Sequence, residues 1–168
     1  PPPGRRIMWA PWRMAYVSAE HDHEFEGPQC VFCELPAQGD DAQALILARG
    51  QHCFVIMNAY PYASGHLMVV PYSHLDRLTD MPPDAVAEMM ELARAAQVVL
   101  SEAMHPHGFN LGMNQGSAAG AGIADHLHLH LVPRWSGDTN FMPVTGDVRV
   151  MPQSLEETYA MLKPGFDA

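Results

Sequence analysis

The sequence predicts a mixed α and β domain, and three observations predict it. Five short runs, 44–48, 52–57, 66–70, 109–113 and 126–132, carry the alternating or continuous apolar pattern of strands. One long stretch, Pro83 to Met104, repeats apolar residues at three- and four-residue steps, the stripe of a helix packed on a core. A shorter helical pattern follows at Ser154 to Leu162. No internal repeat, low-complexity tract or linker divides the chain. The expected organisation is therefore an amino-terminal arm over residues 1–29 and one domain over 30–168.

The arm opens with Pro1-Pro2-Pro3 and holds Trp9, Trp12 and Tyr16, an apolar payload suited to packing across the domain or a partner subunit. His21-Asp22-His23-Glu24 reads as a polar surface loop. Cys30-Val31-Phe32-Cys33 comes next, flanked by Pro28 and Pro36. Such a pair is a redox dithiol, half of a zinc site, or two buried thiols. The βαβ context of a redox motif is missing, and a zinc site needs two more ligands elsewhere. The first two strands are joined by Arg49-Gly50-Gln51, a short hairpin connection, and Cys53 is a core residue of the second. Asn58 to Gly65 is a loop by its Asn, Pro and Gly content. The third strand is stopped by Pro71, and His74 lies three residues beyond.

Asp80 is the expected N-cap of the long helix, with Pro82 and Pro83 in early-helix positions. Val86, Met89, Met90, Ala93, Ala96, Leu100 and Ala103 form its apolar stripe. It ends near His105-Pro106-His107, read as helix-terminus residues. After the fourth strand, Asn114 to Gly122 is a small-residue loop whose glycines let backbone N–H groups approach an anion closely. Its place just before the histidine strand makes it a wall beside the imidazoles. Ser154 and Glu157 have the spacing of a capping box at the start of the last helix.

Nine basic against nineteen acidic residues give a net charge of −10 over 168 residues. A nucleic-acid or anionic-membrane surface needs a basic stripe, so neither partner is expected. An anionic small substrate stays compatible, because a pocket's local field can oppose the global one. No apolar run approaches the roughly 18–20 residues that span a bilayer, and none has the pattern of a signal peptide. Three unevenly spaced cysteines make no disulfide framework, and the expected location is the cytoplasm.

The chemistry concentrates in His126-Leu127-His128-Leu129-His130. On a strand this alternation puts three imidazoles on one face, with same-face neighbours roughly 6.5–7 Å apart. A neutral imidazole whose other nitrogen is held as a donor can attack phosphorus directly. The middle histidine is best placed for that, with His130 on the phosphate chain and the glycine loop supplying backbone donors. Three imidazoles can instead bind one metal whose water is the nucleophile. Cys30, Cys33 and His74 need only one more ligand for a closed tetrahedral site, and His126 in that role leaves His128 and His130 for chemistry. Spacing leaves these accounts open. Asp125 alternates onto the face opposite His126, so it does not orient the histidines.

The run His126-Leu127-His128-Leu129-His130-Leu131-Val132 resembles the signature of the histidine triad (HIT) superfamily of nucleotidyl hydrolases and transferases, and the resemblance covers roughly residues 30–141. Asn58 and His66, within Asn-x-x-Pro-x-x-x-Gly-His, resemble the family's ribose-binding acid or amide and the strand behind it. Pro71-Tyr72-Ser73-His74 resembles the Pro-x-x-His segment of zinc-containing members, which also have Cys-x-x-Cys near the start. The resemblance implies a structural zinc held by Cys30, Cys33, His74 and His126, with His128 as nucleophile and His130 on the phosphate. It implies substrate contacts from Asn58, His66 and Asn114, and from backbone N–H groups at Gly120 and Gly122. Phe54 and Ile56 are candidates for the base-pocket wall and equally for the core.

One departure stands out. Many members carry Gly-Gln-Ser/Thr before the triad, whereas this chain has Gly120-Ala121-Gly122-Ile123, without the Gln or hydroxyl and with one residue added. Val132-Pro133-Arg134-Trp135, Gly137-Asp138-Thr139-Asn140-Phe141 and Trp9-Ala10-Pro11-Trp12-Arg13 add a resemblance to the bacterial subgroup related to diadenosine tetraphosphate phosphorylases. The galactose-1-phosphate uridylyltransferase branch, with Gln where His130 stands, is disfavoured.

The resemblance implies an α+β fold of the HIT type: a mainly antiparallel sheet of about five strands, one long helix against it, and a carboxy-terminal helix. It implies a homodimer or higher homo-oligomer, paired through that helix and the sheet edge. The expected substrate is a nucleoside or dinucleoside polyphosphate, cleaved through a covalent nucleotidyl-histidine with no organic cofactor. A three-histidine metal hydrolase and a non-catalytic nucleotide-binding regulator are the competing readings.

Overall fold

Strand formation is strongest where β-branched and other apolar residues run without a charge, in Cys53–Met57 and Leu67–Pro71, and both runs are buried on two faces. In the computed structural model, which describes residues 30–138, 141, 145 and 151–167, these are β2 and β3 at the centre of the sheet. β1 (Ile46–Arg49), β4 (Gly108–Gly112) and β5 (Leu129–Arg134) complete an antiparallel sheet in the order β1-β2-β3-β5-β4. The expected fold class is thus the observed one. The aromatic arm with Trp9, Trp12 and Tyr16 lies outside the described residues.

Side-chain alternation sorts two cores onto the two faces of this sheet. Cys53, Val55, Met57, Leu67, Val69, Leu127, Leu129 and Leu131 face the long helix α2 (Pro83–Met104). That helix buries Ala85, Met89, Ala93, Ala96, Val99 and Leu100, and its three alanines let the backbone come close to the sheet. The expected stripe is corrected at Met90, which is half-exposed on the outer side, while Ala85 and Val99 turn inward. On the other face, Ile46, Phe54, Ile56, Met68 and Val70 pack with Phe32 from the single-turn helix α1 (Val31–Glu34). Met68 is the cross-strand partner of His130, so the imidazoles belong to this second face, away from α2.

Several boundaries move for identifiable reasons. Leu45 takes a left-handed backbone, φ +60°, so β1 starts at Ile46. β3 ends at Pro71, as expected, but that proline is itself the last residue of the ladder, opposite Cys53. Asp80 closes a 3-10 turn at Leu78–Asp80 and caps nothing; Pro82 occupies the N-cap position of α2. A residue before proline is pushed out of the helical region, so Pro82-Pro83 forbids an earlier start. Within the histidine run only Leu129 and His130 belong to the ladder. His126 to His128 lie before it, held by the Leu127 N–H on the Leu75 carbonyl at 2.6 Å.

The last helix, α3 (Leu155–Phe166), begins with the expected capping box: Ser154 Oγ accepts from Glu157 N–H, and Glu157 Oε2 accepts from Ser154 N–H. It runs four residues beyond the expected Leu162. Tyr159 and Lys163 donate to the carbonyls of Ile46 and Leu47, which covers the β1 edge of the sheet. Gly65, at φ +74°, lets the loop before β3 pass against the end of α2, where a β-carbon would stand 2.7 Å from Met104 Sδ. That passage delivers His66 to the imidazole face. Among the described residues no helix is long and apolar enough to cross a membrane.

Candidate active site

Four residues from three segments meet beside α1. The ligand atoms of Cys30, Cys33, His74 and His126 all lie within 4.8 Å of one another. Cys30 Sγ is 3.1 Å from His126 Nδ1, and Cys33 Sγ is 3.5 Å from His74 Nδ1 and 3.7 Å from His126 Nδ1. Two sulfurs and two imidazole nitrogens at these separations match the donor set of a tetrahedral zinc site, with Zn–S about 2.3 Å and Zn–N about 2.0 Å. The tautomer of His126 fits as well. Its Nε2–H donates to the Pro71 carbonyl at 2.9 Å, which leaves the Nδ1 lone pair aimed at the thiols. Burial, and then the neighbouring Cys30, push the Cys33 thiol up, a cost that a divalent cation between the sulfurs would reverse.

His128 is 4% exposed and differs from its neighbour in what holds it. Its Nδ1 is 2.8 Å from the His126 carbonyl, and a carbonyl only accepts, so Nδ1 carries the proton. Burial holds the imidazole below its ordinary value, hence neutral at pH 7, and Nε2 keeps its lone pair. The Phe32 ring, 5.2 Å from His128 and 5.5 Å from His126, closes off water on that side. Phe32 was hidden in the sequence as an unremarked residue between two cysteines. His130 stands next to His128, ring centroids 4.7 Å apart and nearly perpendicular. It borders an open cavity of about 820 Å³ that Tyr62, Gly112, Asn114 and Arg134 also line.

The remaining candidates divide. Asn114 lines the cavity, and its Nδ2–H donates to the Gly120 carbonyl, so the amide and the glycine loop are coupled. Gly120 and Gly122 are exposed in that loop and border neither of the two described cavities. Phe54 and Ile56 are buried in the second core, the reading that competed with a base-pocket wall. Asn58 Oδ1 accepts from Tyr60 N–H, an Asx turn that shapes the loop toward His66. His66 is 1% exposed, with its Nε2 2.9 Å from His130 Nδ1. Tyr62 had no signal beyond its loop; its ring stacks on His130 at 5.7 Å. Gly112 is paired with His130 across the sheet and adds no side chain there, which keeps the cavity open beside that imidazole. Arg134 is committed to Asp138 and Asn110.

These positions correct the idea of one metal held by three equal histidines. Both nitrogens of His126 and Nδ1 of His128 face other partners, and among the described residues the metal-type cluster holds His126 but neither His128 nor His130.

Comparison with known proteins identifies the family. The HIT domain family model matches residues 40–137. The chain belongs to the HIT domain family. Among relatives of this HIT protein, the AP-4-A phosphorylase of Mycobacterium tuberculosis (strain H37Rv) is 40% identical over 159 residues, 92% of this chain and 81% of the relative. A zinc-bound histidine triad family protein from Mycobacterium smegmatis superposes with a TM-score of 0.65 at 28% identity, covering 83% of this chain and 94% of that one. The diadenosine triphosphate hydrolase of Plasmodium falciparum shares the fold, with a TM-score of 0.58 at 15% identity and 76% of each chain covered.

The half-buried His130 gives the HIT protein a defined acid response. Burial, with a smaller push from His128, lowers His130 to about 4 from 6.5. The unfolded chain therefore binds the extra proton first. The stability contributed by a neutral His130 is complete above about pH 6.5 and is lost progressively as pH falls to about 4. At about 1.4 kcal/mol per pH unit this is on the order of 3 kcal/mol. Urea unfolding between pH 7 and pH 4 is expected to show that slope, and His130→Gln to flatten it. An unchanged slope in the variant contradicts the assignment.

Proposed function

We propose that this HIT protein cleaves a nucleoside or dinucleoside polyphosphate by two-step nucleotidyl transfer through His128. The observation that carries this reading is the His128 Nδ1–H bond to the His126 carbonyl, which presents the Nε2 lone pair of a buried, neutral imidazole beside His130. Nε2 attacks the α-phosphorus; an N–P bond forms, the bridging P–O bond breaks, and the leaving polyphosphate takes the electron pair. The resulting imidazolium keeps its Nδ1–H, and the His126 carbonyl faces the new positive charge. An oxygen of water or orthophosphate then attacks phosphorus, the N–P electrons return to Nε2, and the acceptor's proton passes to solvent. His130 and Asn114 contact the phosphate oxygens. The 40% identity to an AP-4-A phosphorylase supports a diadenosine tetraphosphate-like substrate and orthophosphate as the second acceptor.

In this reading residues 30–168 act as one catalytic domain and 1–29 as an arm. A structural zinc ion held by Cys30, Cys33, His74 and His126 joins α1 to the histidine segment, and no chemical step runs through it. The zinc-bound relative and the four converging donors support that assignment. Thiolate ligation by Cys30 and Cys33 and the buried thiol of Cys53 support a reducing cytoplasm. Half-exposed Met90 and Val98 on α2, with Leu111 on the outermost strand β4, support pairing of two copies.

Three measurements test this. His128→Ala is expected to lower turnover of diadenosine tetraphosphate by at least about 10³-fold and to abolish the nucleotidylated protein seen by mass after acid quench; near-normal turnover ends the covalent reading. Products with and without orthophosphate identify the acceptor in the same assay. Metal analysis is expected to find about one zinc ion per chain, lost in Cys33→Ser together with a lower melting temperature; wild-type protein that takes up no zinc overturns the site. Light scattering at micromolar concentration is expected to give twice the chain mass, and a monomer mass refutes the pairing.

A further inference from the structure

We infer that His66 is a positioning residue that fixes the tautomer of His130, so that His130 presents an Nε2–H, and not a lone pair, to the phosphate. The inference rests on the functional reading above only for what the N–H is used for; its direction comes from hydrogen bonding. The first group in this hydrogen-bonded chain has no choice of role. The backbone N–H of Tyr62 donates to His66 Nδ1 at 3.0 Å, and a backbone amide cannot exchange donor for acceptor. Asn58 agrees. Its Oδ1 already accepts from Tyr60 N–H at 2.8 Å, which turns its Nδ2 toward the same His66 nitrogen at 3.4 Å. With donors on Nδ1, that nitrogen holds the lone pair, and the imidazole proton is on Nε2.

His66 Nε2 lies 2.9 Å from His130 Nδ1. The second ring must therefore accept at Nδ1 and carry its own proton on Nε2. The order of donation runs from the Tyr62 amide through His66 to His130 without a reversible link. Packing holds the rings in place: Tyr62 lies 4.5 Å from His66 and 5.7 Å from His130, and the two imidazoles are 5.1 Å apart.

The outcome is a matched pair of opposite tautomers. A backbone carbonyl sets His128 with its lone pair on Nε2, and a backbone amide, acting through His66, sets His130 with a proton on Nε2. One ring is a nucleophile and its neighbour a hydrogen-bond donor. Neutral His130 donates a hydrogen bond to a phosphate oxygen and keeps its proton, so no charge has to be relayed back through His66. His66 is buried and acts through another side chain, which makes it a positioning residue and not a catalytic one.

Long-range ¹H–¹⁵N correlation of the imidazoles in the unliganded full chain at pH 7 reads the tautomer without any turnover. The expected result is a single Nε2–H form of His130. His66→Phe keeps the ring and removes both nitrogens; His130 is then expected to show mixed tautomers, with kcat on diadenosine tetraphosphate down by about 10²-fold and KM little changed. His66→Gln, whose amide can accept from Tyr62 and donate to His130, is expected to restore the single tautomer and most of kcat. An Nδ1–H form of His130 in the wild-type protein overturns the inference, as does a His66→Phe variant with unaltered His130 signals. A correct tautomer in a chain that cleaves no polyphosphate would instead refute the functional reading and leave the assignment of His66 intact.

Discussion

His126 makes three contacts at once, and the site depends on that convergence. Its Nε2–H binds the Pro71 carbonyl at the end of β3, its Nδ1 faces the cysteine pair beside α1, and its own carbonyl accepts from His128. The ring is fully buried, so each polar atom must be matched inside the protein or carry a penalty of about 1–3 kcal/mol. Matching all three fixes the backbone that holds His128. The metal-type cluster and the hydrogen bond that orients His128 are then not two neighbouring features but two faces of one residue. A shift of α1 would move the carbonyl that keeps His128 in its Nδ1–H tautomer.

The sheet supplies the frame for this arrangement. β2 and β3 are buried on both faces, so the helix α2 takes one side and leaves the other for chemistry. Leucines at 127, 129 and 131 lock into the α2 core, which forces the intervening histidines outward onto the second face. A one-residue slip would exchange the two sets, burying three imidazoles in the α2 core and exposing three leucines. The register therefore protects the site as strongly as it protects the core. At His130 the sheet offers Met68 on one side and Gly112 on the other, an asymmetry that opens the cavity in one direction only.

Most of the elements were legible along the chain because their signals are local. The α2 span was readable from its apolar steps and its prolines, and the capping box of Ser154 and Glu157 from a spacing of three. The readings that failed involve an element's environment. Asp80 has the chemistry of an N-cap but stands in a 3-10 turn ahead of two prolines. Met90 satisfies the helical period yet lies on the outer side, because the stripe is rotated to include Ala85 and Val99. Phe54 and Ile56 are apolar in either role, and only packing against Phe32 and Met68 settles them in the core.

The sequence by itself determined the inventory: five strands, a long helix, three alternating histidines, and cysteines and a fourth histidine at ligand-type spacing. These follow from periodicity and residue chemistry, which need no partner. Tertiary structure alone decided what each histidine does. A neutral imidazole has its proton on one nitrogen or the other, and the choice belongs to whichever group faces it. For His126 that group is the Pro71 carbonyl, for His66 the Tyr62 amide, and through His66 it reaches His130. Even for His128, whose partner is only two residues away, the bond depends on the backbone at His126 being pinned from outside. Identical residues in a repeating pattern thus acquire different protonation, because folding gives each ring different neighbours.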